Sequence, residues 1–397
     1  MIYAWNYLEW GGAQVYFLGI AGRIADRAGI LFVMPEKTGR QLIEFCETKK
    51  LPYELLPVEN DLRPAGTLRR KLERHWNKFR AEDRLVRHLL KKDLTDAVVH
   101  VELAPWQSLV SLIRLCRRAK VFITMHNSLP PVPAWRLALW KLKFRLMIGF
   151  RNFHLFASNE DAKNSLTPFV TPEFLEKVKV TYTNVDPDEI GEAVALEIDR
   201  ERKLAEFNLP PDKFYVFCVG QFIDRKGRWV FLEAARRILE KTADVGFVWI
   251  SNSVLTSEER TKIEGFGLGE NFRLLKSEEV GARHLDLFAF LRLADAFTLP
   301  SYVEGLPISL LEAMALGIPA VSTRINAIPE AVIHEQTGLL VEAGDAPGLA
   351  EALLRLKNDP TLAKKLAAAG RRHVLANFNE KAVAEIAFRA YAGAGED

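Results

Sequence analysis

Short apolar runs of strand length, each followed by a segment of helical period, recur through both halves of this chain. In the second half the runs are Phe214–Val219, Gly246–Ile250, Ala296–Leu299, Pro319–Ser322 and Leu339–Val341, with helical segments such as Arg228–Lys241 and Pro307–Leu316 between them. The first half repeats the scheme with a short strand beginning at Ile2 and with Gly29–Val33, Ala97–Val101 and Val121–Thr124. Strands that are apolar throughout, and not alternating, are covered on both faces, and helices between them imply a parallel sheet. A chain of 397 residues is too long for one ordinary core. The expected fold class is therefore α/β, with two Rossmann-like domains. They meet near Thr183–Glu189, where Pro187 and a cluster of acids break the pattern. The expected bounds are 1–187 and 188–376, with 377–397 read as a last helix that crosses back to the first domain. In such sheets ligands sit beyond the carboxyl ends of the strands, so chemistry is sought there.

Composition narrows the class. Apolar residues make up 49% and charged residues 26%, which is globular and not disordered. No apolar run approaches the roughly 18 to 20 residues that a membrane-spanning helix needs. Met1-Ile2-Tyr3-Ala4-Trp5 has neither the basic start nor the apolar stretch of a signal peptide. Cys46, Cys116 and Cys218 are odd in number and set in apolar surroundings, so they read as buried free thiols of a cytoplasmic protein.

Charge is unevenly spread. Residues 1–151 carry 26 Lys and Arg against 14 Asp and Glu, a net of +12, while 152–397 carry 28 against 37, a net of −9. The excess sits in Leu68–Lys92 and in Trp135–Arg151, where Trp135, Leu139, Trp140, Phe144 and Phe150 interleave with Arg136, Lys141, Lys143, Arg145 and Arg151. Cations with aromatics on a helical period suit an anionic membrane surface, here the inner face. A solvated helix face above a core-facing stripe gives the same pattern. Nucleic acid is not expected, because no recognition module accompanies the patch.

The densest signal lies after the run Ala296–Leu299. It reads Glu304-Gly305-Leu306-Pro307-Ile308-Ser309-Leu310-Leu311-Glu312-Ala313-Met314-Ala315-Leu316-Gly317-Ile318-Pro319. Pro307 suits a first helical turn, Gly317 the position past the end, and Pro319 forbids continuation. The amide groups around Ile308 and Ser309 then point at the strand-end crevice and favour an anion. Glu312 is the lone charge between Ile308 and Leu316. A buried carboxylate needs hydrogen-bond donors, and ribose hydroxyls would supply them.

This Glu-Gly-x-Pro…Glu-Ala-x-Ala-x-Gly-x-Pro frame resembles the signature of the family-four retaining glycosyltransferases of the GT-B fold. The resemblance implies two Rossmann-like domains facing across a cleft. It implies that Glu304 meets the donor sugar and Glu312 the ribose, with Leu306, Ile308 and Ser309 at the donor. Upstream, Gly220-Gln221-Phe222-Ile223-Asp224-Arg225-Lys226-Gly227 follows a strand and is similar to the family's phosphate turn. Such a turn can hold a diphosphate, with Lys226 as a point charge. The family's Arg is replaced by Gln221, a donor-side position, and Arg225 or Arg228 is the candidate to compensate. The Ser251-Asn252-Ser253 segment also departs from the family's Gly-acid-Gly.

The first half is similar in fewer places. Gly11-Gly12-Ala13-Gln14 opens a helix, and Gly12 would let backbone approach the donor. His126, after Val121–Thr124, matches a family histidine near the donor sugar and is taken as catalytic together with Glu304 and Lys226. His100 and Trp106 are assigned to the acceptor side. Asp186-Pro187-Asp188 has metal-binding spacing but reads better as a turn and helix cap, so no metal and no cofactor is expected. Gly265-Phe266-Gly267-Leu268-Gly269 lacks the strand and helix of a dinucleotide fingerprint. The implied reaction is retaining, front-face transfer of a sugar from a nucleoside-diphosphate sugar to a glycan or lipid-linked acceptor in cell-envelope polysaccharide assembly. The alternative is a catalytically weak relative serving as a scaffold.

Overall fold

The computed structural model describes residues 1–7, 12–58 and 67–393, the side chains of 12, 13, 41, 68, 71 and 72 excepted. These divide into two compact units, Met1–Tyr182 with the stretch beginning at Lys381, and Thr183–Glu380.

The described residues of the first unit form a seven-stranded sheet from β1 (Ile2–Ala4), β2 (Leu31–Pro35), β3 (Tyr53–Leu56), β4 (Val98–Val101), β5 (Lys120–Met125), β6 (Phe153–Ala157) and β7 (Lys179–Val180). Its order is β3-β2-β1-β4-β5-β6-β7, and the pairings are parallel. Successive side chains go to opposite faces, so each strand feeds two cores. Val99, Val101, Val121, Ile123 and Leu155 enter one. Tyr3, Trp5, Val98, Phe122 and Phe156 enter the other, where Val383, Ala384, Ala387 and Tyr391 of the helix Glu380–Gly393 join them.

The second unit has a six-stranded sheet from β8 (Phe214–Val219), β9 (Val245–Ile250), β10 (Phe272–Leu275), β11 (Ala296–Leu299), β12 (Ala320–Thr323) and β13 (Leu339–Val341). Its order is β10-β9-β8-β11-β12-β13, again with parallel pairings. In both sheets the order reverses once, between β1 and β4 and between β8 and β11. Loops leaving two such strands diverge to opposite faces and open a crevice between them. The segment 220–227 leaves β8, and the segment 300–307 leaves β11. The densest motif of the sequence therefore lies at the switch point of its own sheet.

The sheets contain strands absent from the expectation: β3, β6, β7 and β10. Expected helix Arg228–Lys241 is found as Arg228–Leu239, and Pro307–Leu316 as Ile308–Ala315. All three cysteines are buried free thiols. No helix among the described residues is long and apolar enough to cross a membrane.

Candidate functional site

Strand ends and backbone bonds assemble the second unit's crevice. Tyr302 N donates to Arg225 O at 2.8 Å, knitting the two switch-point loops together. Gly227 makes this approach possible. Its φ is 76°, and a Cβ there would lie 1.8 Å from Pro300 O. Ser309 Oγ donates to Val219 O at 3.0 Å, which fixes the start of the helix Ile308–Ala315 beside the end of β8. The Phe222 amide donates to both Ser251 Oγ at 3.0 Å and Ser253 Oγ at 2.9 Å. The Ser-Asn-Ser departure thus clamps the 220–227 loop.

Glu304 is only 6% exposed. Its Oε1 lies 2.5 Å from Lys226 Nζ and accepts from Ser301 Oγ at 2.7 Å, while Arg225 stands 3.6 Å from Oε2. The carboxylate is thus paired and hydrogen-bonded, the condition for burying it. Lys226 and Glu304 cancel, so Arg225 leaves the group with one net positive charge next to a helix amide end. First-turn N–H groups lack intrahelical acceptors and carry about half a positive charge between them. The arrangement favours an anion. Arg225 also donates to Val303 O at 3.0 Å.

Arg228 does not serve as a spare phosphate contact. It is buried and bonded to Asp224 at 2.8 Å, Glu259 at 2.5 Å and Phe222 O at 3.0 Å, so it holds the loop's shape. Gln221 is exposed. Leu306 is buried under the loop, and Ile308 is half-buried in the first helical turn.

Glu312, also 6% exposed, has a partner that the sequence reading missed. His284 Nε2 lies 3.1 Å from Glu312 Oε1, and His284 Nδ1 lies 3.0 Å from Glu189 Oε2. Burial pulls this imidazole's pKa down, but the two carboxylates outweigh it and raise the value to about 10. At neutral pH His284 is a cation bridging two acids. Nothing near it in sequence signals this, since it opens an otherwise apolar helix, His284–Leu291. Glu304 and Glu312 are thus held by separate partners, Lys226 with Ser301 and His284.

In the first unit, His126 follows the end of β5, with Nε2 3.1 Å from Glu102 Oε1 and Tyr16 edge-on at 5.3 Å. Both members of the pair keep part of their surface open. His100, assigned above to the acceptor side, is instead a core residue at 1% exposure. Its nitrogens are taken up by Tyr391 Oη at 2.7 Å and Thr124 Oγ1 at 2.8 Å. Burial, with His126 nearby, holds its pKa well below the usual imidazole range, so it stays neutral. Trp106 stacks on Trp140 at 5.2 Å and is partly buried. Gly12 begins the helix Gly12–Ile24, and Gly11 lies outside the described residues. Asp186 caps the helix Pro187–Ala195, accepting from Asp188 N at 2.8 Å and Glu189 N at 3.4 Å, which is the turn-and-cap reading. Gly267 and Gly269 supply positive φ in the turn after the helix Ser257–Glu264.

The model of the family described as "Glycosyl transferases group 1" matches residues 199–373, which contain Lys226, Glu304 and Glu312. The amylovoran biosynthesis glycosyltransferase AmsK of Erwinia amylovora is 30% identical over 213 residues, 52% of this chain and 48% of that protein. The lipopolysaccharide core biosynthesis glycosyltransferase LpsD of Rhizobium meliloti is 28% identical over 216 residues, 54% of this chain and 60% of that one. The chain thus spans about half the length of these curated relatives in the match. Among solved structures, a glycosyltransferase from Rickettsia africae superposes with TM-score 0.77 at 16% identity, covering 99% of this chain and 98% of that one. Anabaena Alr3699/HepE, in complex with UDP and glucose, gives 0.72 at 16% identity over 99% of each chain. At such identity the likeness concerns the fold, which is of the GT-B class. Residues 199–373, less than half of the chain, are thus similar to the glycosyl transferases group 1 family.

Proposed function

We propose that the protein is a glycosyltransferase that moves a sugar, with retention and without a metal, from a nucleoside-diphosphate sugar to a glycan or lipid-linked acceptor of the cell envelope. The observation that carries this is the buried Lys226–Glu304 pair at the β8/β11 switch point, beside the amide end of the helix Ile308–Ala315. As the sugar–phosphate bond breaks, charge develops on the leaving diphosphate. Lys226, Arg225 and the helix amides are preorganised to receive it, the role a divalent cation plays in other transferases. Glu304 suits the sugar's hydroxyls. With Lys226 and Ser301 already on Oε1 it is a poor nucleophile, which supports front-face attack assisted by the departing phosphate. His126, oriented by Glu102, supplies a donor or acceptor on the first unit's side. Glu312, set by His284, suits ribose hydroxyls.

The scaffold alternative rested on Gln221 and the Ser251-Asn252-Ser253 segment. The two serines' grip on the Phe222 amide gives that segment a structural task, which weakens the alternative.

We also place the protein on the inner face of an anionic membrane. The helix Ala134–Ile148 contains no acidic residue. It buries Trp140, Phe144 and Met147 and presents a second stripe outward, Trp135 at 66%, Leu139 at 42%, Leu142 at 54% and Leu146 at 48% exposure. The stripe has helical spacing and is flanked by Arg136, Lys141 and Arg145, which favours a lipid headgroup layer. Trp140 and Phe144, placed with the surface aromatics by the sequence pattern, belong to the core. On the helix Leu68–Leu89, Trp76 and Phe79 are also exposed and stack at 5.9 Å.

The test is to incubate the purified chain with UDP-, GDP- and ADP-sugars and measure nucleotide release. Release from one donor is expected. Release from none, with glycan and lipid-linked acceptors supplied, would favour the scaffold.

A further inference from the structure

The first unit holds a cavity of about 650 Å³ toward the amino ends of β5, β6 and β7, the end of the sheet away from His126. Its volume falls within the roughly 300 to 1,000 Å³ typical of ligand pockets. It exists because β7 is two residues long and pairs only with Phe156 and Ala157 of β6. The outer edge of Phe153–Leu155 therefore has no strand beside it, and the helix Glu380–Gly393 walls the space instead.

The lining is sharply divided. Phe122 and Phe156, nearly fully buried, form an aromatic floor on one face of the sheet, and buried Phe153 lines the cavity from the other face. Exposed Ile386 stands at the rim. Four cations surround this floor: Arg151, Lys177, Lys179 and Arg389, with no Asp or Glu among the lining residues. The nearby Glu385 is shared between Arg27 and Arg389, so it offsets only part of the Arg389 charge. Ile148, Phe150 and Arg151 also line the cavity. They follow directly on the helix whose exposed stripe ends at Leu146, so the wall continues the proposed membrane-facing segment. A ring of cations favours an anionic ligand and disfavours a second copy of this basic face.

We propose that this cavity binds one anionic lipid, the hydrocarbon chain on the phenylalanine floor and the phosphate among Lys177, Lys179, Arg151 and Arg389. The site is separate from the donor crevice and does not require that the chain lie on a bilayer.

The test uses oleoyl lysophosphatidate below its critical micelle concentration, titrated calorimetrically into the full chain. One saturable site is expected. Lys179→Ala should weaken it about fivefold, as expected for one cation near a phosphate. Ala390→Trp, which fills the cavity from the helix side, should weaken it at least tenfold. Lysophosphatidylcholine should bind at least tenfold more weakly. Leu139→Asp with Leu142→Asp should abolish vesicle binding yet leave lysophosphatidate binding intact, so failure of the membrane reading is distinguishable from failure of this one. Absence of saturable binding, equal binding by the choline lipid, or wild-type affinity in a folded Ala390→Trp chain would overturn the proposal. Should that variant not fold, unchanged affinity in the exposed Lys179→Ala variant overturns it alone. Displacement of lysophosphatidate by an extended apolar peptide, with the charge variants silent, would mark the site as a strand-pairing edge instead.

Discussion

The two units share one architecture and use their charges in opposite ways. In Thr183–Glu380 the informative charges are paired around buried Glu304, Glu312 and Arg228: Lys226 with Glu304, His284 with Glu312 and Glu189, Arg228 with Asp224 and Glu259. In the first unit, cations of the helix Ala134–Ile148 stay at the surface beside apolar side chains that no core covers. Paired, buried charges fix geometry, which a reaction at one bond requires. Unpaired surface cations fix nothing but attract over a Debye length, which suits an extended partner.

The comparison breaks first at Glu304. Replacement by Gln keeps the size and leaves Lys226 without its counter-charge. Donor turnover kcat/KM should fall by about 10² to 10³, the loss typical of removing one preorganised polar group. A drop below tenfold, read in the nucleotide-release assay, would place the reactive centre elsewhere. Next comes the glycine that lets the two switch-point loops approach. Gly227→Ala combines a left-handed φ with a Cβ driven into Pro300 O, and should lower unfolding free energy by about 3 kcal/mol. Chemical denaturation measures it, and a loss under 1 kcal/mol would mean that the two loops are less tightly knit than described.

On the other side of the comparison, Lys141→Ala with Arg145→Ala should weaken binding to anionic vesicles about 25-fold at low salt, from roughly 1 kcal/mol per cation. Donor turnover in solution should not change. Equal binding to neutral vesicles would remove the electrostatic reading.

The smallest effect belongs to His284. Because its folded pKa of about 10 lies above the usual imidazole value, its pairing stabilises fully below about pH 6.5 and fades as pH rises through 10. His284→Gln should therefore flatten the stability profile between those values and raise donor KM about fivefold, with kcat nearly unchanged. A profile identical to the wild type's would show that the bridge carries no weight.

What was legible in the sequence follows the same division. β8, β11 and β13 were read to the residue because buried parallel strands are apolar throughout. β10 escaped because Arg273 interrupts it and its residues are half-buried, β6 because His154 does, and β7 because two residues make no pattern. Lys226 and Glu304 were legible because each precedes a glycine in a segment that resembles a family motif. His284 was not, since its partners come from distant segments and no local rule pairs them. The helix Ala134–Ile148 misled in a particular way: it is apolar on two stripes, and the sequence offers no means of telling which one the core takes. The core took Trp140, Phe144 and Met147, leaving Leu142 and Leu146 outside.

The central claim is that Lys226, with Arg225 and the helix amides, holds a diphosphate at the β8/β11 switch point. Calorimetric titration of UDP, GDP and ADP into the wild-type chain and into Lys226→Met tests it most directly. The account predicts that one diphosphate binds saturably and that the substitution weakens it at least thirtyfold, roughly 2 kcal/mol. Equal affinity in the two proteins would contradict it.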